Sequence, residues 1–259
     1  MGFDILISMA CSRFQRPAGV MRAVLILLLL WVAGCARMPL EEARGTPVEA
    51  VARGGFARLS LGGVPVGSAV AIAPDRLVTN AHVVPDDIDL VEFRRGDGGA
   101  EGAARVVARS GRMDLVVLAV PAVFEPAPLG GPVRAGDRVW AAGAPAAGAA
   151  VSEGVVLRPR VRLVGHGPGF TARLGALLGY SGGPAVDSEG RLVGIVTALP
   201  RAGAAPVLAA LTGMDVAGMM GGEREVFLLG VGEVMGEVGA QGYAALMREP
   251  VGSAVDRGR

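Results

Sequence analysis

Gly179-Tyr180-Ser181-Gly182-Gly183-Pro184 is the stretch on which the reading of this chain turns. A serine set among glycines can sit on a tight turn, and the same backbone can aim neighbouring N–H groups at one point. A serine hydroxyl alone is a weak nucleophile and needs a base. The chain has two histidines, His82 and His166, and both precede Ser181. A constellation built on this serine therefore places its histidine first.

That order separates folds. The glycine-flanked serine also fits the nucleophile elbow of α/β-hydrolases, where the histidine follows the serine. No histidine follows Ser181, so an esterase of that class is excluded. The order aspartate, histidine, serine would rest on Asp75, the nearby candidate, which sits in a turn close to His82. The order histidine, aspartate, serine is satisfied better. His82 stands in Leu77-Val78-Thr79-Asn80-Ala81-His82-Val83-Val84, carried in by a strand. Asp114 directly precedes the apolar run Leu115-Val116-Val117-Leu118-Ala119-Val120. A carboxylate at the mouth of a buried strand is costly unless paired. A histidine Nδ1–H is a suitable partner, and the pairing would fix the tautomer and stabilise the imidazolium. Asp86, Asp87 and Asp89 cluster in a polar loop and read as solvated charges. His166, in Gly165-His166-Gly167-Pro168-Gly169, reads as a loop residue without a catalytic part.

The 259 residues suffice for one large domain or two small ones with a proper core. An apolar fraction of 51% against 19% charged excludes a disordered chain. With Gly 41, Pro 17 and few aromatics, many turns and short elements are expected, which favours an all-β architecture. The net charge of +1, with no basic stripe, gives no sign of nucleic acid as a partner. Strands are expected at 56–61, 68–73, 76–79, 90–94, 104–108 and 115–120. The proline-rich Pro121–Pro132 reads as a linker. A second set is expected at 138–142, 151–157, 161–164, 184–186, 192–197 and 226–231, with a hairpin turn at Asp187-Ser188-Glu189-Gly190. Helical spacing over Gly232–Met247 predicts a terminal helix with Val234, Met235, Val238 and Leu246 on one face. Two sets of six strands suggest two β-barrels, at 56–128 and 129–231, followed by a helix and tail at 232–259.

Taken together, Gly67-Ser68-Ala69-Val70, Thr79-Asn80-Ala81-His82-Val83-Val84, Asp114-Leu115-Val116-Val117-Leu118 and Ser181-Gly182-Gly183-Pro184 resemble trypsin-like serine peptidases, with bacterial HtrA/Deg-type proteases the closest group. Leu192-Val193-Gly194-Ile195-Val196-Thr197 matches the strand after their nucleophile loop. The resemblance implies the chymotrypsin-like fold of two six-stranded antiparallel barrels with the site between them. It implies His82 as general base then acid, Asp114 as its orienting partner and Ser181 as nucleophile. The N–H groups of Gly179 and Ser181 would form the oxyanion hole. No cofactor or metal is implied, and the partners expected are protein or peptide substrates.

The sequence departs from that family at Tyr180. Digestive members carry an aspartate there, which pairs with a new N-terminus during activation, and HtrA types usually carry asparagine. A tyrosine cannot make that ion pair at neutral pH. It can pack beneath the loop, or it can hold the oxyanion hole inactive, which leaves a non-catalytic binding or scaffold protein as the alternative reading. About thirty residues follow the last expected strand, too few for the PDZ domain usual in HtrA types. A long insert, Pro200 to Glu225, carries Met214, Met219 and Met220. The specificity pocket is expected from Ala176, Leu177 and Leu199, with Gly175 near its base. Lacking a carboxylate, it favours a small or aliphatic residue over Arg or Lys.

The N-terminal part reads as an address. Met21-Arg22, the apolar run Ala23–Val32 and the small residues before Cys35 form a secretory signal, too short to span a membrane. Val32-Ala33-Gly34-Cys35 resembles the lipobox of bacterial lipoproteins, which implies cleavage before Cys35 and acylation of its sulfur. Acyl chains contribute roughly 0.8 kcal/mol per buried methylene, so several would hold the protein on a membrane. Residues 1–20 do not fit a signal, and Met21 is the expected start. Residues 36–55 read as a tether.

Overall fold

Apolar runs such as Leu115–Val120 and Leu192–Thr197 need both faces of a strand covered. Two closed barrels packed side by side cover them. The computed structural model describes residues 38–145, 150–176, 178–197 and 224–240. Expectations placed on the signal segment, Cys35, Leu177, Leu199, residues 200–223 of the insert and residues 241–247 of the terminal helix lie outside them.

The first barrel comprises β1 (Phe56–Leu61), β2 (Val64–Ala73), β3 (Arg76–Thr79), β4 (Leu90–Arg95), β5 (Glu101–Arg109) and β6 (Val116–Ala119). It closes antiparallel in the order β1-β2-β3-β6-β5-β4. The second comprises β7 (Arg138–Ala142), β8 (Val151–Leu163), β9 (Gly167–Leu174), β10 (Pro184–Val186), β11 (Leu192–Thr197) and β12 (Arg224–Gly230). It closes antiparallel in the order β10-β11-β12-β9-β8-β7. The expected all-β fold of two six-stranded barrels with a C-terminal helix is the fold observed.

Alternation decides what each strand residue touches. Ala69 and Ala71, Leu77, and Val116 and Leu118 fill the first barrel. Val70, Val78 and Val117, one step out of phase, face a second core shared with Ile195 and Leu229 of the other barrel. Val196 and Leu228 then point into the second barrel, beside Phe170 and Tyr180. Fully apolar strands arise because one face builds a barrel and the other builds the seam.

Two expectations change. The runs 151–157 and 161–164 are one strand, β8, whose pairing with β9 shifts register between Val156 and Arg158 and again between Arg158 and Val161. Pro159 lies within that irregular stretch and has no N–H to give the ladder. Its partner β9, Gly167–Leu174, had not been expected as a strand.

The stretch read as a tether is folded from Met38 onward. It contains a short helix, α1 (Leu40–Ala43), and a π-helical turn at Val51–Gly55. Ala43, Val48 and Ala52 are fully buried in the seam core. Glu42 accepts hydrogen bonds from the N–H groups of Ala150 and of Val151, the latter at 3.2 Å, where β8 begins. At the other end α2 (Val231–Ala240) packs Val234 and Val238 into the same core.

Candidate active site

Strand β3 delivers His82. It ends at Thr79, and a 3-10 turn over Ala81–Val83 carries His82 past the strand end with its side chain 42% exposed. Asp114 enters just before β6 and is 6% exposed. Its carboxylate grips His82 at two points: Oδ2 lies 2.7 Å from the ring Nδ1, and Oδ1 accepts the His82 backbone N–H at 3.0 Å. Asn80 braces the pair, donating from Nδ2 to the Asp114 carbonyl at 3.1 Å and to Thr197 Oγ1 of β11 at 2.9 Å.

Burial opposes the Asp114 charge. The His82 ring bond and charge, the His82 backbone N–H and the charge of His166 outweigh it and hold the carboxyl below its ordinary range. His166 is therefore not the bystander its sequence setting suggested. Its carbonyl accepts the Asp114 N–H at 3.1 Å, and its Nε2 lies 4.0 Å from Asp114 Oδ2. Glycine-rich flanks gave no sign of this, because the approach depends on where the β8–β9 hairpin folds.

Ser181 sits in a turn closed by the Gly183 N–H donating to the Tyr180 carbonyl at 2.8 Å. Gly182 has φ +85°, and a Cβ there would lie 2.0 Å from the Ser68 carbonyl oxygen and 2.2 Å from Thr79 Oγ1. Only glycine meets both demands. The loop thus rests on the strands that lead to His82. Ser68 stitches it down: its N–H donates to the Ser181 carbonyl at 2.8 Å, and its hydroxyl donates to the Gly179 carbonyl at 2.6 Å. On the other side Gly182 donates to Val196, and Val196 to Gly183, at 2.9 and 2.8 Å.

Amid this pairing, the N–H groups of Gly179 and Ser181 have no acceptor among the described residues. Backbone donors left free beside a serine hydroxyl are able to receive an acceptor from outside. No hydrogen bond joins Ser181 Oγ to His82 Nε2 among the described residues. Catalytic bonds are commonly long without substrate.

Tyr180 is fully buried and packs against Gly143 in the second-barrel core. Burial, aided by the Glu42 charge, pushes its phenol well up, so it stays neutral. Of the expected pocket residues, Ala176 is fully buried, and its carbonyl accepts the Arg224 guanidinium, with Nε at 2.9 Å. As placed, it packs the barrel and does not line an open wall. A separate cavity of about 740 Å³, bordered by Pro132, Arg160, Phe170 and Glu233, contains none of His82, Asp114 and Ser181.

The family model described as "Trypsin-like peptidase domain" matches residues 67–195. "Serine protease Rv3671c" of Mycobacterium tuberculosis is 33% identical over 143 residues, 50% of this chain and 35% of that protein. The crystal structure of its active form matches with a TM-score of 0.56 at 25% identity, covering 78% of this chain and 83% of that one. "Probable periplasmic serine endoprotease DegP-like" of Brucella suis is 37% identical over 147 residues, 52% of this chain and 28% of that protein. The HtrA-type protease AlgW with tripeptide matches with a TM-score of 0.58 at 27% identity, covering 76% of this chain and 63% of that one. The chain spans about a third or less of the length of the curated relatives it matches. Across residues 67–195, this chain belongs to the trypsin-like peptidase family, and the proteins it is similar to are named serine proteases, DegP-like and HtrA-type ones among them.

Proposed function

We propose that this protein is a serine endopeptidase that cuts protein or peptide chains through an acyl-enzyme. The observation that carries the reading is the two-point grip of Asp114 on His82, beside a turn that presents Ser181. In this mechanism His82 Nε2 takes the Ser181 proton as Oγ bonds to the scissile carbonyl carbon. The carbonyl π electrons move to oxygen, and that oxyanion is received by the N–H groups of Gly179 and Ser181. Such a donor typically contributes about 2.7–4 kcal/mol to the transition state. The imidazolium, held by Asp114, then passes the proton to the leaving amine as the C–N bond breaks. Water repeats the sequence to free the acid and restore Ser181.

A second reading, an inactive barrel pair that binds partners, is favoured by one observation: the unmade bond between Ser181 Oγ and His82 Nε2. A phosphonofluoridate probe decides between them. Stoichiometric labelling of the intact protein, absent in Ser181→Ala, supports the protease. No labelling of the wild type, or equal labelling of both, overturns it.

We infer further that the protein is exported and works on the periplasmic face of a bacterial envelope, anchored through Cys35. The signal-like run before Cys35 and the periplasmic relative support this reading. Among the described residues no helix is long and apolar enough to cross a membrane. Mass spectrometry of the mature N-terminus tests the anchor. Acylated Cys35 is expected, and an unmodified terminus elsewhere overturns it.

A further inference from the structure

Helix α1 brings a carboxylate to the second barrel from the other end of the chain. Glu42 Oε2 accepts the N–H groups of Ala150 and Val151, the latter at 3.2 Å. The backbone that carries Glu42 is fixed. Its neighbour Ala43 is fully buried in the seam core. The Ala43 N–H donates to the Pro39 carbonyl at 2.9 Å, and Thr46 Oγ1 donates to the Ala43 carbonyl at 2.6 Å. Glu41, on the same turn, pairs instead with Arg44 at 3.5 Å.

The two N–H groups that Glu42 holds lie at one end of the β7–β8 pair. Val151 stands opposite Ala142, and the Ala150 carbonyl accepts the Gly143 N–H at 2.9 Å. Ala142 to Ala144 form the floor of the turn that bears Ser181. A Cβ on Gly183 would lie 2.2 Å from the Ala142 carbonyl oxygen, and one on Gly143 would lie 2.5 Å from Tyr180 Cγ. The Ala144 N–H reaches the Gly179 carbonyl at 3.3 Å. Gly179 has φ +98°, and a Cβ there would lie 2.6 Å from the Ala144 carbonyl oxygen. Backbone packed this closely leaves no slack, so a displacement of the floor is passed on to the turn.

We propose that Glu42 is a positioning residue for the oxyanion donors: by holding the start of β8 it fixes Ala142–Ala144, on which Gly179, Tyr180 and Gly183 rest. The proposal rests on the protease reading, in which the N–H groups of Gly179 and Ser181 receive the oxyanion. A carboxylate suits this task. One of its oxygens accepts two N–H groups at once, and a charged acceptor holds them more strongly than a neutral one. Tyr180, directly before the nucleophile, stays neutral and supplies no charge of its own to fix the turn. The fixing charge belongs to Glu42 and acts through the β7–β8 pair. A segment about 140 residues before Ser181 thereby becomes part of the machinery that aims its loop.

Two readouts test it, one of them independent of activity. Glu42 is exposed to solvent, so Glu42→Ala removes the bonds without opening a void in the core. Amide hydrogen exchange followed by NMR should quicken, roughly tenfold, at Gly143, Ala144, Ala150, Val151 and Gly183, while first-barrel amides such as that of Val78 keep their rates. The rate of phosphonofluoridate labelling at saturating probe should fall about fivefold with the half-saturating concentration nearly unmoved, since loss of aim costs less than loss of a donor. Glu42→Gln keeps a neutral acceptor and should recover most of both effects, and Glu41→Ala should match the wild type. Unchanged exchange at Ala144 and Gly183 in Glu42→Ala, labelling of that variant at the wild-type rate, or a Glu42→Gln variant as impaired as Glu42→Ala overturns the proposal. If exchange quickens as stated and the wild type takes no label, the clamp on the turn stands and the protease reading falls. If the wild type is labelled and Glu42→Ala equals it in both readouts, the protease reading stands and the clamp falls.

Discussion

Asp114 is the residue on which the site depends most heavily, because one carboxylate holds both the ring and the backbone N–H of His82. Replacing it with asparagine keeps the size but offers an amide that can donate to Nδ1 and favour the wrong tautomer. For Asp114→Asn we expect kcat to fall about 10⁴-fold, the loss usual for such a change in a triad, with KM nearly unmoved. Stability carries a second signature. The native carboxyl is held below its ordinary range, so the wild type binds fewer protons than its unfolded chain in mildly acid solution. Its extra stability is complete above the unfolded value of about 3.9 and fades as pH falls through the lower native value. Urea unfolding should therefore show the wild type and Asp114→Asn converging as pH drops from about 5 to about 2. A gap that stays constant would deny the linkage. His82, Asp114 and Ser181 were legible because each stands in a local context that is expensive without a partner or a purpose. His166 was not, since nothing local shows that its carbonyl and ring will meet a residue about fifty positions earlier.

The elements were legible where alternation and turn chemistry are local, and less so where pairing decides. The hairpin at Asp187–Gly190 follows from its residues: Asp187 Oδ1 accepts the N–H groups of Glu189 and Arg191 at 3.0 Å, and Gly190 has φ +74°. Strand β9 was hidden because glycine and proline at its start imitate a loop, and only its ladder to β8 and β12 makes it a strand. Helix α2 was visible from its spacing, but its task was not. Glu237, 7% exposed, accepts the Ser110 hydroxyl at 2.7 Å and pairs with Arg112. Ser110 Oγ in turn accepts the N–H groups of Arg112 and Met113 at 3.0 Å. The helix thus pins the loop that ends at Asp114. Bonds to a buried charge are worth about 1.5–3 kcal/mol each, and removing this one strands Ser110. Glu237→Ala is expected to lower unfolding stability by roughly that amount, with Glu237→Gln losing less because it keeps an acceptor. Urea midpoints at constant m-value measure it. Equal loss in both variants would mean the helix contributes by packing alone.

Across the whole molecule, the candidate site exists because two barrels are locked in one relation, and Ser68 lies at the lock. It belongs to β2 of the first barrel, yet its hydroxyl donates to Gly179 and accepts the Ala144 N–H at 3.2 Å, both groups of the second. Its own carbonyl accepts Thr79 Oγ1 at 2.7 Å, on the strand that leads to His82. The seam core of Val70, Val117, Ile195 and Leu229 holds the barrels together without direction, as apolar contact does. Ser68 supplies the direction, fixing the peptides that bear the two unpaired donors relative to the histidine. Ser68→Ala leaves β2 and the seam intact but removes both hydroxyl bonds, leaving a buried Ala144 N–H and Gly179 carbonyl less satisfied. Stability should fall by about 1–3 kcal/mol. If the hydroxyl also aims the oxyanion donors, the rate of phosphonofluoridate labelling at Ser181 should fall as well, by about tenfold, since loss of aim costs less than loss of a donor. A variant that loses stability yet labels at the wild-type rate would show that Ser68 joins the barrels without orienting the nucleophile loop.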